Sequence, residues 1–440
     1  MLQVPVVLFW FRRDLRLSDN AGLYHAFTSG FPVLPIFIFD QDILDQLSSK
    51  QDRRVAFIQA AITRLQDQLQ TFGSSLLVKH GSPLEIISQL LIRFEVKAVY
   101  ANHDYEPYAL ARDQEVAALL EARGVGFHTF KDQVIFEKSE VVKPDGSPYR
   151  VFGAYRNKWM ATLSDFHLRS YPNEQDSAHF LKIESFPLPG LEDIGFAAPD
   201  NNEFPPEAVQ KSIISTYDQT RNLPALPGTT RLGLHLRFGT VSVRKLARQG
   251  MSLNAVWLGE LIWREFFMMI LYHFPHVVQR PFHLEYEHME WLNNEEQFER
   301  WCTGTTGYPI VDAGMRELNA TGFMHNRVRM IAASFLVKHL LIDYRWGEAY
   351  FAQHLLDFDL SANNGNWQWC AGTGCDAAPY FRVFNPETQT KKFDKQQQYL
   401  KKWIPELGTP AYPATMVDQA MVRERVLKAY KEALAKGRNR

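Results

Sequence analysis

The chain has 440 residues, 46% of them hydrophobic, and 48 Lys and Arg against 49 Asp and Glu give a formal net charge of −1. That length supports a large core split over two domains, and the near-neutral charge excludes a global basic field, so any nucleic-acid contact must rest on a local patch. Three cysteines (Cys302, Cys370, Cys375) without a CxxC pair argue against a disulfide framework or a zinc site, and no stretch of about 18 uncharged apolar residues offers a membrane span. The opening MLQVPVVLFWFRRDLR reads as a strand rather than a signal peptide, which points to a soluble, reducing, cytoplasmic setting. Up to about residue 130, β-rich runs alternate with amphipathic helical stretches such as Arg53–Phe72 and Pro83–Phe94. The runs are Val6–Phe11, Val33–Phe39, Ser75–Lys79, Ala98–Ala101 and Gly126–Phe130. Such alternation predicts a parallel sheet covered on both faces, a Rossmann-like α/β domain. Residues 131–210 carry clustered breakers (KPDGSPY, FPLPGLED, APDNNEFPPE) and read as a long connector with one helix at Val151–Leu163. Residues 211–440 are helical almost throughout, and the tail from Met421 reads as a basic amphipathic helix with a solvated face. The expected fold is therefore α/β (1–130) and all-α (211–440), joined by the connector.

Four stretches of the helical half carry chemistry. Tyr217–Ser242 contains the hydroxyl-rich turn Gly228-Thr229-Thr230-Arg231 opening a helical pattern, a natural phosphate cradle, with an ordinary Thr N-cap as the plainer alternative. Glu260, Trp263 and Arg264 stand at i, i+3 and i+4 and share one helical face, which also fits a surface ion pair beside a core Trp. Asn326 and Met330, at i and i+4, put a polar group beside an apolar one. Asp357–Pro386, DFDLSANNGNWQWCAGTGCDAAPYFRVFNP, combines two carboxylates one residue apart with Trp, Asn and a Gly-rich loop. Such density of polar groups is poor core material, because each needs a partner when buried. It suits the wall of a site for a flat, polar-edged molecule, with an aromatic core loop as the alternative.

This last run resembles the WQW…GTDAAPYFRxFNP signature of the photolyase/cryptochrome family. The segments WFRRDLRLSDN (Trp10–Asn20), ANHDYEPYALARD (Ala101–Asp113), GELIWREF and GYPIVDAGMRELNATGFMHNRVRM extend the resemblance over nearly the whole chain. The match is to the bacterial class I cyclobutane pyrimidine dimer photolyases. The resemblance implies an antenna-binding α/β domain, a helical FAD- and DNA-binding domain, and light-driven repair by electron transfer from excited, reduced FAD to a flipped-out dimer. It assigns Tyr217, Thr229, Thr230, Arg231, Leu232, Gly233 and Trp257 to FAD. Gly233 stands where the family usually has Ser, so one hydroxyl contact is expected to be lost. It places Asp357, Phe358 and Asp359 along the ribose and isoalloxazine edges, Arg329 in a pair with Asp357, and Asn364 opposite flavin N5. A neutral amide there suits a stable, fully reduced flavin.

On the substrate side the resemblance implies Trp263 and Trp369 as stacking walls, with Glu260 bonding the base edges and stabilising charge on the dimer. Asn326 and Met330 would form the polar and apolar edges of the pocket, and Arg221, Arg264, Arg327 and Arg382 would be phosphate contacts. Enzymes that repair (6-4) lesions carry His at the positions of Asn326 and Met330. The family's electron relay maps to Trp367, Tyr344 and Trp291; the middle Tyr departs from the usual Trp, and Trp346 is a substitute two residues on. A second, antenna chromophore (folate, deazaflavin or flavin) is implied, and Glu106–Tyr108 is compatible with more than one. The expected partner is DNA carrying cyclobutane dimers, with no metal, no membrane, no obligate protein partner and a monomeric state. A photoreceptor acting through partner proteins is the chief alternative, disfavoured by the short stretch after Pro405–Leu407. A non-light flavoprotein or nucleotide-binding module is suggested only by the α/β half.

Overall fold

The computed structural model describes residues 4–438. Five strands, β1 (Val6–Phe11), β2 (Val33–Asp40), β3 (Leu77–Gly81), β4 (Val96–Asn102) and β5 (Gly126–Phe130), form one parallel sheet in the order β3-β2-β1-β4-β5. Every residue of β1 is buried, as a central parallel strand covered on both faces requires. Its alternation sorts the core. Val7, Phe9 and Phe11 pack with α1 (Ala21–Phe27) and α2 (Arg53–Thr71), while Val6, Leu8 and Trp10 pack with α3 (Pro83–Arg93) and α4 (Pro107–Glu121). Asn20 and Asp52 cap α1 and α2 by accepting from Leu23 N and Arg54 N, which explains why these helices begin where they do.

The chain divides into two compact units: Met1–Glu137, Thr162–Ala208 and Arg231–Ser252 in the first, and Lys138–Ala161, Val209–Thr230 and Leu253–Arg440 in the second. These units do not follow the expected bounds at 130 and 210, and residues 131–210 are divided between them. Helix α5 (Phe152–Thr162) lies almost wholly in the second unit, where the Trp159 indole donates to Glu265 at 2.6 Å. Helix α6 (Val243–Leu253) belongs mostly to the first, held by Arg244, which pairs with Asp19 at 2.8 Å and Asp132 at 2.7 Å. All three side chains are buried, so each charge is compensated where water cannot reach it.

The second unit is built on α7 (Ala255–His273), α8 (Glu295–Thr303), α9 (Pro309–Thr321), α10 (Asn326–Ser334), α11 (Tyr344–His354), α12 (Leu360–Ala371), α13 (Pro386–Phe393) and α14 (Gln419–Arg438). Trp301, Val311, Met315, Phe335, Leu336 and Trp367 lie in its main core. The C-terminal helix α14 corrects the expectation of a solvated face. Val422, Val426, Tyr430 and Ala433 fall on one stripe and are buried with Met289 and Leu341. The basic residues occupy the other faces, as in any amphipathic helix laid on a core. All three cysteines are free and buried. Among the described residues no helix is long and apolar enough to cross a membrane, and no group of three or more His, Cys, Asp or Glu could hold a metal.

Candidate active site

Helices α10 and α12 carry the walls of a cleft in the second unit. Asp359 caps α12, accepting from Ala362 N at 3.2 Å and from the Ser361 hydroxyl, and His325 caps α10 by accepting from Arg327 N at 3.2 Å. The cleft is lined by Asn326, Arg329 and Met330 from α10, Asp357, Phe358 and Asp359 from the turn before α12, and Asn363 and Trp367 from α12 itself. Seven of the residues singled out from sequence thus meet in one place. Arg329 Nη2 donates to Asp357 Oδ2 at 3.0 Å, as expected, and its Nε donates to Met324 O at 2.7 Å. The other carboxylate oxygen, Asp357 Oδ1, is buried without a hydrogen-bond partner. A buried acceptor left unpaired costs about 1–3 kcal/mol, so this oxygen suits a ligand donor such as a sugar hydroxyl. The residues present therefore fit a ribose-bearing cofactor with an aromatic ring system.

Asn363 lines the cleft and Asn364 does not; the Asn363 Nδ2 donates to Glu348 O at 3.0 Å. Asn364 Nδ2 donates to Val277 O at 2.9 Å and to Glu348 Oε1 at 3.0 Å, and its Oδ1 accepts from Gln368, so both ends of this amide are committed to the protein. Adjacent helical positions point about 100° apart, and the packing of α12 turns Asn363 to the cleft. This corrects the expectation for Asn364. Glu348, which sequence reasoning passed over, stands behind it. Burial, opposed by the Asn364 hydrogen bond, pushes its carboxyl up to about 7.

A second group of residues brings Arg221, Glu260 and Arg327 together. Arg221 Nη1 pairs with Glu260 Oε1 at 2.7 Å, and its guanidinium lies over the Tyr217 ring at 5.4 Å. Burial raises the Glu260 carboxyl and the Arg221 charge opposes this. Arg327 donates to Asn222 Oδ1 at 2.7 and 3.1 Å, and burial together with nearby Arg221 and Arg382 lowers its hold on its proton. Arg382 is exposed, with its guanidinium 5.4 Å from the Phe384 ring. Trp263 and Arg264 on α7 and Trp369 on α12 are partly buried. One face of Trp263 is covered, for Phe152 lies flat on it at 3.6 Å between ring centroids and 8° between planes. The Phe152 N–H donates to Asp376 Oδ2 at 3.0 Å, which ties this ring to the Gly-rich loop after α12. An aromatic beside the KPDGSPYR breakers was the only sequence sign of Phe152.

Other expected residues fall on further elements. Trp257 is buried in the first turn of α7. Tyr217, Thr229 and Thr230 belong to the second unit, whereas Arg231, Leu232 and Gly233 belong to the first. Arg231 adopts φ +52, and the helix opened by Gly233 runs only to Phe238. Trp367 meets Trp301 edge-on at 6.1 Å; Trp301 stacks on Phe298 at 5.8 Å, and Phe298 meets Trp346 at 5.2 Å. Tyr344 is buried with an unpartnered hydroxyl, and burial and the nearby Glu348 push its ionisation well above the ordinary value. Trp291 packs edge-on against Tyr430 at 6.3 Å. The fully buried Trp301 was not singled out in the sequence, where nothing local separates it from any core Trp.

The chain matches a family model described as DNA photolyase over residues 7–175 and one described as the FAD binding domain of DNA photolyase over residues 257–411. It is 38% identical to a deoxyribodipyrimidine photo-lyase of a Synechococcus strain, covering 96% of both chains, and 38% identical to that of Escherichia coli, covering 98% of this chain and 99% of the relative. Among solved structures, a bacterial class III photolyase from Agrobacterium tumefaciens superposes with a TM-score of 0.87 at 30% identity, covering 98% of each chain. An archaeal photolyase from Sulfolobus tokodaii, solved with two FAD molecules, superposes with a TM-score of 0.79 at 32% identity, covering 97% of this chain and 99% of that one.

Proposed function

The chain belongs to the DNA photolyase family, and from that membership we propose that it splits cyclobutane pyrimidine dimers in DNA under light, using FAD held in the second unit. The observation that carries this reading is one shared wall. Helix α10 sends Arg329, paired with the half-satisfied Asp357, into the same cleft as Asn326 and Met330. FAD, bound and reduced, supplies a light-excited one-electron donor. The protein's task is then positioning and electrostatics. Asp357 Oδ1 and Asp359 take cofactor hydroxyls, and the neutral amide of Asn363 serves the ring edge in the role expected of Asn364. Asn326 reads a polar pyrimidine edge, Met330 keeps water from its apolar side, and Trp263 and Trp369 confine the flipped bases. Glu260 accepts from base N–H groups, a contact that preorganises the site for charge arriving on the dimer. No His stands at the positions of Asn326 and Met330, which favours cyclobutane dimers over (6-4) lesions.

The relay that recharges the cofactor is better served by Trp367, Trp301 and Trp346 than by Tyr344. A tyrosine must lose its proton on oxidation, and the Tyr344 hydroxyl has no acceptor in hydrogen-bond reach. The reading includes a monomer in the cytoplasm and a second, light-harvesting chromophore of the folate, deazaflavin or flavin type, which the absorption spectrum of the purified protein identifies. The deciding experiment illuminates the chemically reduced protein with a dimer-containing oligonucleotide and follows the lesion by chromatography. Light-dependent loss of the dimer is expected, and an unchanged lesion would overturn the proposal.

A further inference from the structure

The Arg221–Glu260 ion pair joins two groups that the repair reading assigns to different parts of the substrate, the phosphate backbone and the base edge. Its geometry is that of an exchangeable contact. One N–O distance of 2.7 Å links side chains that are 29% and 33% exposed, so neither is locked in the core. Arg327 hydrogen-bonds the neutral amide of Asn222, and Arg221 and Arg382 lie close enough to destabilise its charged form. Arg221 and Arg382 are thus within electrostatic reach of Arg327, and Glu260 is the carboxylate paired with Arg221. A phosphodiester offers Arg221 two acceptor oxygens in the planar arrangement a guanidinium fork prefers, and it competes directly with the Glu260 carboxylate.

We infer that Arg221 is a specificity-determining residue acting through Glu260. The ion pair formed in DNA-free protein is exchanged on binding, with Arg221 passing to a backbone phosphate and Glu260 to the base edge. The exchange makes discrimination a matter of compensation. Undamaged duplex supplies the phosphate but keeps its bases stacked, so a partly buried carboxylate loses its partner and gains none. A flipped dimer supplies base N–H donors to the released carboxylate and restores the lost interaction. Breaking the pair therefore counts against undamaged DNA and little against the lesion. This inference rests on the repair reading, because it requires a flipped base at Glu260.

The test is a double-mutant cycle on FAD-loaded protein: wild type, Glu260→Gln, Arg221→Gln and the double variant. Each is titrated at fixed salt with an undamaged duplex and with the same duplex carrying one dimer. Glu260→Gln keeps the shape of the side chain and frees Arg221, so affinity for undamaged duplex should rise about fivefold, the scale of a partly exposed ion pair, while preference for the dimer falls. In the Arg221→Gln background the same substitution should leave affinity for undamaged duplex unchanged. Flavin content and thermal midpoint report folding, and Arg221→Met, which keeps much of the length of the side chain without its charge, replaces Arg221→Gln if that variant loses its flavin. A gain that persists without Arg221 would show a general charge effect and overturn the exchange, as would no gain at all. Wild-type protein that neither prefers nor repairs dimer DNA would sink the repair reading itself, and the two failures are therefore distinct.

Discussion

Replacing Glu348 by Gln tests the electrostatics behind the cleft. The amide keeps the size of the side chain and an oxygen that can accept from Asn364 Nδ2, now at 3.0 Å from Glu348 Oε1, and removes only the capacity to ionise. The carboxyl is pushed up to about 7 from its ordinary 4.5, chiefly by burial, with Asp343 adding to the rise and Asn364 and Arg345 opposing it. Below about pH 4.5 the group is protonated in both folded and unfolded chains, so wild type and variant should be about equally stable. Between about 4.5 and 7 the unfolded wild type releases a proton that the folded protein retains, and wild-type stability falls as pH rises. Above about 7 both states are ionised and the deficit is constant. At about 1.4 kcal/mol per pH unit the gap sets a ceiling of about 3.4 kcal/mol, and residual access of water lowers the expected value to about 2 kcal/mol. Urea unfolding of the FAD-loaded proteins, followed by Trp fluorescence at several pH values, measures this directly. Glu348→Gln should exceed wild type by about 2 kcal/mol near pH 8 and by under about 1 kcal/mol near pH 5. A difference independent of pH, or a variant less stable than wild type near pH 8, would refute the reasoning.

Gly347→Ala would put a Cβ 2.1 Å from Trp367 Cη2 and 2.6 Å from Leu336 Cδ2, so about 1–3 kcal/mol of overpacking strain and reduced flavin retention are expected; an unchanged melting midpoint with full flavin content contradicts that packing. Glu260→Ala should lower the quantum yield of repair more than dimer affinity, since its hydrogen bond strengthens as charge develops, an effect of about 2–4 kcal/mol in preorganised sites; equal loss of affinity at unchanged yield argues against that role. DNA affinity should fall with salt despite the net charge of −1, with each phosphate contact from Arg221, Arg264, Arg327 or Arg382 adding about −0.9 to the log–log slope, and a flat salt titration rules the patch out. Trp367→Phe and Trp301→Phe should abolish or slow photoreduction while sparing repair by chemically reduced protein, whereas Tyr344→Phe should change little. Transient absorption after a blue flash checks this, and a tyrosyl radical in wild type restores Tyr344 to the relay.

The sequence determined what depends on local order. The β-rich runs named all five strands, with Ser75–Lys79 displaced by two residues from the observed Leu77–Gly81. The spacings of Glu260 with Trp263 and of Asn326 with Met330 put each pair on one helical face, and the Asp357–Pro386 run marked the cleft before any fold was known. Arg329 and Asp357, 28 residues apart, were joined only through resemblance, and the structure joins them by a hydrogen bond. Tertiary structure decided which face turns inward. Asn363 and Asn364 are the same chemistry at neighbouring positions, and only the packing of α12 around Val277 and Glu348 assigns one to the cleft and the other to the scaffold. Phe152 reaches Trp263, and Arg221 reaches Glu260, across long stretches of chain that carry no trace of the pairing. The basic tail looked solvated because its charges are plain to read, whereas its buried stripe needed the surface formed around Met289 and Leu341. Helical and strand periods fix which side chains travel together, but burial is set by partners distant in sequence, and burial is what orients Asn363, raises Glu348 and leaves Asp357 with an oxygen to offer.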